Sequence, residues 1–231
     1  FVEQKLEIIQ LRMQLHLTIL HNCMKMKNKT FLLLLLLFQF SFSQNVKLKT
    51  GDILFQSMNC GPLCEAINEV TEGYQGKDFS HLGMVYIKND SIFVIEAAGK
   101  AVKVTPYETF KTYTNDEMFV GRLKRKYRKY IPEAITFSLQ QVGVPYDDEY
   151  LYNNGKYYCS ELIYDAFLHS YKKPLFDLYP MTFKSPKSNE YFEVWAEYYK
   201  KLKMEIPEGQ LGCNPGGIST SDKLKIIGTL R

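Results

Sequence analysis

Histidine and cysteine are the residue types in this sequence that could do chemistry together. Beyond residue 43 the candidates are two histidines and four cysteines: His81, His169, Cys60, Cys64, Cys159 and Cys213. A thiolate is a strong nucleophile, and an imidazole beside it can take the thiol proton and later return it to a leaving group. A cysteine paired with a histidine would therefore indicate acyl transfer from an amide or ester.

Cys159 is the cysteine best placed for this chemistry. The segment 159–170 predicts a helix that starts at Cys159. Apolar residues of one helix face follow it: Leu162, Ile163, Ala166 and Phe167. The start of a helix is the positive end of its dipole, which favours a thiolate, and its backbone N–H groups can bind an oxyanion. A small core residue at a helix start is the alternative interpretation.

His81 is the histidine that could serve Cys159. His169 lies ten residues further along the same predicted helix. That separation is about 15 Å along the helix axis, which is too long for a hydrogen bond. His81 instead precedes an apolar strand predicted at 82–87. A surface histidine in a turn is the alternative.

Glu96 is the candidate for a third polar group that orients the His81 ring. It is the one charged residue in a second strand predicted at 91–97, and the Asn89-Asp90 turn joins the two strands as a hairpin. A carboxylate inside an apolar strand needs a partner. A solvated position on an exposed strand face is the alternative.

The remaining pattern predicts an α+β domain. Further strands are predicted at 52–56, 101–105 and 118–123, further helices at 62–70, 130–142 and 191–202, and a short helix or loop at 106–113. Strands that meander before the helices begin favour an antiparallel sheet packed against helices, not a doubly wound sheet. The tail from Ile206, rich in Gly and Pro, is predicted to wrap the surface.

The first 43 residues are predicted to lie outside this domain. The sequence does not begin with methionine, and we interpret residues 1–23 as an upstream extension before a start at Met24 or Met26. Residues 24–43 have the layout of a secretory signal peptide. We therefore expect a single hydrolase domain at 44–231.

The signal-peptide prediction rests on three consecutive features. Basic residues at Lys25–Lys29 precede an apolar stretch, Phe31–Phe38, and small residues follow at Ser41–Ser43. The alternative is a retained membrane anchor, for which the apolar stretch is short, since about 20 residues are needed to span a bilayer. We expect export to the periplasm or the extracellular space, and proximity to a membrane or cell wall stays open.

Charge offers no basis for a nucleic-acid partner. The formal net charge is +4, and the basic residues are dispersed apart from a short run at Lys124–Lys129. The basic run is interpreted as a solvated connection between elements. The acidic run Asp147–Glu149 is interpreted as a solvated loop. We expect no metal and no organic cofactor.

Five segments in a fixed order resemble one known family. They are Thr50–Phe55, Phe79–Gly83, Val94–Ala97, Gly143–Asp147 and Tyr158–Ile163. The sequence is similar to the circularly permuted papain-like amidases and peptidases of the NlpC superfamily, in particular the YiiX-like branch. In ordinary papain-like enzymes the cysteine precedes the histidine, whereas in the permuted members the histidine strand comes first, as here. The resemblance covers nearly all of residues 46–231.

The resemblance implies a papain-like fold and a set of site residues. It implies Cys159 as the nucleophile, His81 as the base and Glu96 as the residue that orients the base. Tyr146 matches a tyrosine that lies near the catalytic cysteine in such enzymes. With Ser160 and Tyr158, which flank Cys159, it is a candidate for substrate or oxyanion binding.

A competing interpretation places the nucleophile in Asn59–Glu65, which superficially resembles the unpermuted papain segment. Cys64 would then need His169 as its base. Metal binding by Cys60 and Cys64 would need a second ligand pair, which the sequence lacks. Local packing is the simpler interpretation of both cysteines, and a pairing of one of them with Cys213 stays open.

The predicted function is that of an exported thiol hydrolase that cleaves an amide or ester through a cysteine acyl-enzyme. The substrate class stays open among cell-wall peptide, a lipid-linked amide or ester, and a protein tail, and the oligomeric state is not predicted. One alternative is a lipid acyltransferase or phospholipase on the same permuted fold, which an apolar groove beside Cys159 would favour. Another is a non-catalytic binding module, which a long distance between Cys159 and His81 would favour.

Overall fold

The frame of the domain is an antiparallel sheet of six strands. The computed structural model describes Gln14 and residues 46–231. In chain order the strands of this part are β1 (Ile53–Gln56), β2 (His81–Lys88), β3 (Ser91–Ala98), β4 (Ala101–Pro106), β5 (Met118–Leu123), β6 (Tyr179–Pro180), β7 (Leu211–Gly212) and β8 (Leu224–Leu230). The main sheet has the order β4-β3-β2-β1-β5-β8, and β6 pairs with β7 separately. The predicted α+β class and antiparallel sheet are confirmed.

The helices lie mostly in the second half of the described region. In chain order they are α1 (Pro62–Val70), α2 (Tyr107–Lys111), α3 (Ile131–Gln140), α4 (Cys159–Tyr171), α5 (Glu193–Leu202) and α6 (Pro215–Ser219). A short 3-10 helix, Arg125–Tyr130, leads into α3. Helix α4 packs against α3 and against strands β2 and β3, so the start of α4 is held beside the strands that contain His81 and Glu96.

Both faces of the main sheet are buried. Alternate side chains of a strand point to opposite faces. Ile53 and Leu82 therefore pack with Phe167 of α4 in the largest core cluster. Leu54 and Val85 belong to a second cluster on the other face. A third cluster joins α1 to α5: Ala66, Phe183, Trp195 and Tyr199.

The segment Thr50–Asp52 is structural. Asp52, almost fully buried, accepts hydrogen bonds from Arg122 Nε and Nη2, both at 2.7 Å, and from the backbone N–H of Lys49 at 2.8 Å. Gly51 has a φ of 87°, and a Cβ there would lie 2.4 Å from the side chain of Ile131. Thr50–Asp52, the start of the first segment that resembles the family, thus joins β1 to β5 and to α3.

The tail differs from the prediction. Instead of only wrapping the surface, it adds β8 to the sheet beside β5. The register of this pair shifts between Phe119 and Gly121, and Gly228 interrupts β8 with a φ of 149°. This irregularity hides the two-residue alternation that would predict a strand.

The predicted upstream extension (residues 1–23) and signal peptide (residues 24–43) lie outside the described residues, except for Gln14. Across residues 46–231 no helix combines the length and apolar character needed to cross a membrane.

Candidate active site

Cys159 is the first residue of α4, as predicted. Its side chain is buried, and Tyr158 precedes it in an extended conformation with no side-chain cap. The first intrahelical bond runs from the N–H of Leu162 to the carbonyl of Tyr158. The N–H groups of the first helical turn have no acceptor within the helix. These N–H groups lie at the same end of α4 as Cys159.

His81 lies between Cys159 and Glu96. It is the first residue of β2 and only 3% exposed. Its Nε2 lies 2.6 Å from Glu96 Oε2, and its ring also interacts with the side chain of Cys159, which contributes to the raised pKa of the imidazole. Because Glu96 occupies Nε2, the nitrogen left for the thiol is Nδ1. The structure thus brings together the three residues that the sequence singled out.

Glu96 is fully buried and held by more partners than the sequence indicated. Its Oε1 accepts a hydrogen bond from the Thr105 hydroxyl at 2.6 Å and from the Tyr113 hydroxyl at 3.2 Å. Lys103 Nζ lies 3.7 Å from the same oxygen. Lys103 is directly opposite Glu96 in the β3–β4 register. An opposite charge at a cross-strand position was a signal available in the sequence.

Gly83 allows aromatic residues to close over His81. A Cβ at Gly83 would lie 2.4 Å from Val94 Cγ1 and 3.2 Å from Phe110 Cε2. Because Gly83 has no side chain, Phe110 can pack with its ring centroid 5.7 Å from the centroid of the His81 imidazole. The centroid of the Tyr113 ring lies 6.3 Å from the same imidazole. These rings exclude water from the His81–Glu96 contact.

The electrostatics favour a charged imidazolium. Burial lowers the pKa of His81, but hydrogen bonds and charge interactions with Cys159 and Glu96 outweigh it and raise that pKa to about 9. Burial likewise opposes ionisation of Glu96, yet its contacts with His81, Thr105 and Lys103 bring the net pKa below its ordinary value. The arrangement suits a thiolate–imidazolium pair backed by a carboxylate.

A partly open pocket of about 150 Å³ lies beside the thiol. Its wall is mostly apolar and is formed by residues of α1, the loop before α4, and the region around α5: Ile67, Val70, Tyr146, Tyr150, Met181, Phe183 and Trp195. Cys159 lines the same pocket, so a group bound there would be adjacent to the nucleophile.

Two tyrosines bring hydroxyl groups to this pocket. Tyr146 and Tyr150 have their oxygens 3.4 Å apart. Burial, followed by the charges of neighbouring groups, raises the pKa of both, so both remain neutral hydrogen-bond donors at neutral pH. Tyr146 was a predicted site residue. Tyr150 was not; its φ of 54° is unusual for a non-glycine residue and is typical of strained functional positions.

The hydroxyls of Ser160 and Tyr158 have structural partners. Ser160 Oγ donates to the carbonyl of Cys213 at 2.9 Å, and the Tyr158 hydroxyl accepts from the N–H of Cys213 at 3.2 Å. Both residues line the pocket. An oxyanion contact from Ser160 would therefore come from its backbone N–H.

The other cysteines do not form a second site. Cys60 and Cys64 form a disulfide with each other, so a pairing of either with Cys213 is wrong and Cys213 is a buried free thiol. Oxidised Cys64 cannot be a nucleophile. His169 lies on the surface with its Nε2 3.1 Å from Glu133 Oε1. The competing interpretation has no support in the structure.

The order of elements, with the histidine strand before the cysteine helix, defines a papain-like fold in permuted form. Residues 47–228 match the sequence model of the permuted papain-like amidase enzymes, the YaeF/YiiX, C92 family. The chain belongs to this family, and the predicted fold and resemblance are confirmed. Membership of an amidase family supports a hydrolase function.

Two relatives agree with this assignment. The uncharacterized protein YiiX of Escherichia coli strain K12 is 29% identical over 124 residues, which are 52% of this chain and 57% of that protein. The match therefore spans little more than half of the relative's length. The crystal structure of metalloprotein yiiX from Escherichia coli O157:H7 matches with a TM-score of 0.63 and 23% identity over 79% of this chain and 96% of that chain. This likeness shows the fold.

The name metalloprotein, given to that structural relative, raises the question of a metal site in this chain. Within residues 46–231, no group of three or more His, Cys, Asp or Glu side chains is arranged to hold a metal ion.

Proposed function

We propose that this chain is a thiol hydrolase that cleaves an amide or ester bond through an acyl-enzyme on Cys159. The observation that supports the proposal most directly is the buried arrangement of Cys159, His81 and Glu96, in which His81 interacts with both of the others, at the wall of an accessible pocket. A nucleophile, a base and a residue that orients the base, within hydrogen-bond reach of one another, are what nucleophilic catalysis requires.

In the first half-reaction the Cys159 thiolate attacks the carbonyl carbon of the bound substrate. The carbonyl oxygen becomes an oxyanion, which the N–H groups at the start of α4 stabilise together with the Tyr146 hydroxyl. When the tetrahedral intermediate collapses, His81 gives its proton to the leaving amine or alcohol, and a thioester remains on Cys159.

In the second half-reaction water releases the acyl group. Neutral His81 takes a proton from water, and the hydroxide formed attacks the thioester carbonyl. Collapse expels the Cys159 thiolate and releases a carboxylic acid, while His81 keeps the proton and the ion pair is restored. Glu96 stabilises the imidazolium at each stage and holds the ring through Nε2.

A second candidate function uses the same chemistry on a lipid. The pocket wall is mostly apolar and aromatic, which favours an acyl chain or another apolar group next to Cys159. The alternative would be an acyltransferase or phospholipase. Comparing the hydrolysis of short-chain and long-chain N-acyl amides and esters distinguishes the lipid-directed function from the first candidate function. A non-catalytic binding module is not favoured, because the Cys159 and His81 side chains are in contact.

Selective alkylation tests the identity of the nucleophile. We expect iodoacetamide at neutral pH to modify Cys159 at least about tenfold faster than Cys213, because His81 stabilises the Cys159 thiolate whereas burial raises the pKa of Cys213 far above neutrality. Peptide mass spectrometry over time would measure both rates. His81→Ala should slow only the Cys159 reaction. Preferential labelling of Cys213 would show that the nucleophile has been misassigned.

We also propose that the protein is exported. The signal-peptide layout in residues 24–43 and the Cys60–Cys64 disulfide both fit an oxidising compartment. Expressed in a bacterium with a matching export system, the mature protein should begin near Gln44, as read by N-terminal sequencing of the exported fraction. An intact Met26 on exported protein would instead support a retained anchor.

A further inference from the structure

Glu161 is a buried carboxyl group for which the proposed mechanism has no use. It lies two residues after Cys159 on α4 and is fully buried. Its Oε1 accepts a hydrogen bond from the backbone N–H of Asn153 at 2.8 Å, and the N–H of Tyr158 also interacts with the carboxyl. Within the described residues, Oε2 has no hydrogen-bond partner. An ionised carboxylate so poorly solvated is costly, so the neutral acid is the favoured form.

Asn153 belongs to the loop that brings two tyrosines to the pocket. This loop, residues 146–157, begins at Tyr146 and includes Tyr150. Within it, Asp147 accepts hydrogen bonds from the N–H groups of Glu149 and Leu151. These bonds shape the loop but do not attach it to α4. The bond from the Asn153 N–H to Glu161 does, as does a longer bond of 3.3 Å from the Tyr152 hydroxyl to Asp165, because Glu161 and Asp165 lie on the helix that starts at the nucleophile.

We propose that Glu161 is a positioning residue that holds the tyrosine loop, residues 146–157, against the start of the Cys159 helix, and that it does so as a neutral acid. Ionisation of Glu161 strengthens the bond from the Asn153 N–H, but the cost of an unsolvated charge next to Asp165 and Asp147 is larger, so water enters and the loop moves away from α4. The tyrosine hydroxyls then leave their places beside the thiol. The inference adds regulation by pH to the proposed hydrolase site.

The charged side chains around Glu161 favour its neutral form. Asp165 faces it from the same helix and Asp147 from the loop. The other titratable groups that interact with it are a thiol and three phenols: Cys213, Tyr152, Tyr157 and Tyr158. Among the described residues, the largest influences on its ionisation include no Lys, Arg or His.

The pKa of Glu161 is raised to about 8. Burial is the largest cause; the N–H of Asn153 opposes it, and the charges of Asp165 and Asp147 add to it. Because this value lies above the ordinary 4.5, the stabilisation due to the neutral acid is complete below pH 4.5 and is lost as the pH rises through 8.

The single tryptophan of the sequence is a built-in probe of the loop. The Trp195 ring contacts the Tyr150 ring edge-on, with centroids 5.5 Å apart. Its fluorescence should therefore change when the loop moves. The titration is best done in a Cys159→Ala background, in which the thiol–His81 pair is absent and cannot contribute a transition. The result then does not depend on whether the protein is a hydrolase.

In that background we expect the fluorescence to titrate with a midpoint near pH 8. Glu161→Gln keeps an acceptor for the Asn153 N–H and cannot ionise, so the transition should disappear. Glu133→Gln, which changes an exposed carboxylate on α3, is the matched control and should leave the transition in place. A transition that persists in Glu161→Gln, or its absence from the parent between about pH 6 and about pH 9.5, would overturn the proposal.

Two further measurements keep the test decisive. If Glu161→Gln does not fold, Asp165→Asn should lower the midpoint because a neighbouring negative charge is removed, and an unchanged midpoint would contradict the proposal. In the protein with its thiol, Glu161→Gln should move the alkaline limb of kcat/KM for a p-nitrophenyl ester from about pH 8 up to the limit near 9 set by His81. A structural role alone would leave the limb where it is.

Discussion

Cys159→Ala is expected to lower turnover of any amide or ester substrate of this protein on the order of 10⁴-fold or more, because no other group can form the acyl-enzyme. The rates would be compared on p-nitrophenyl esters and N-acyl amides. Intact-mass measurement during turnover should show an acyl adduct on the parent protein and none on the variant. The fold should survive, since alanine removes one sulfur atom at the wall of an open pocket.

The matching control uses the second histidine. His169→Ala removes an exposed imidazole that interacts with Glu133 and stacks on Phe137, far from the thiol. It should leave turnover unchanged, whereas His81→Ala should approach the loss seen for Cys159→Ala. Substantial turnover by a folded Cys159→Ala variant would rule out the proposed mechanism.

Glu96→Gln is expected to lower kcat by about 100-fold while KM stays nearly constant. The variant keeps the shape of the side chain and an acceptor for Nε2 but removes the charge that stabilises the imidazolium. When water attacks the acyl-enzyme, His81 starts neutral and becomes charged in the transition state, so the lost charge of Glu96 affects kcat; general-base catalysis is worth about 10²- to 10⁴-fold. Full activity in a folded variant would mean that the site is a simple pair of Cys159 and His81.

The pH profile gives an independent check of the same variant. Glu96 is one of the groups that raise the pKa of His81 to about 9. Without its charge that pKa falls, so the imidazolium that protonates the leaving group is lost at a lower pH and the alkaline limb of kcat/KM moves to lower pH. Thr105→Val, which removes one hydrogen bond to Glu96 but keeps its charge, should move the limb much less.

Local patterns in the sequence were sufficient for the elements that present the candidate site. The helix that starts at Cys159 has a regular apolar face, and the hairpin that contains His81 and Glu96 has two largely apolar strands joined by a turn of Asn89 and Asp90. Such patterns act over a few residues, so they can be interpreted without knowing what else packs nearby. Because the sequence after residue 43 has two histidines and His169 lies too far along the helix, His81 was the one candidate base for Cys159. The catalytic roles of the three residues remain predictions.

Contacts between distant segments could not be predicted in this way. The support of Glu96 by Thr105 and Tyr113, the positive φ of Tyr150 and the bond from the Asn153 N–H to Glu161 each depend on how separate elements pack. No periodicity in the sequence encodes them.

The sequence by itself determined the class of fold, through the order and periodicity of its strands and helices, and the identity of the candidate nucleophile and base. Only the tertiary structure decided which cysteines form a disulfide, that β8 completes the sheet beyond β5, and which groups surround Cys159. The physical reason is that secondary structure follows from local side-chain preference, whereas burial, ionisation and hydrogen bonding depend on neighbours that the chain brings together only when it folds.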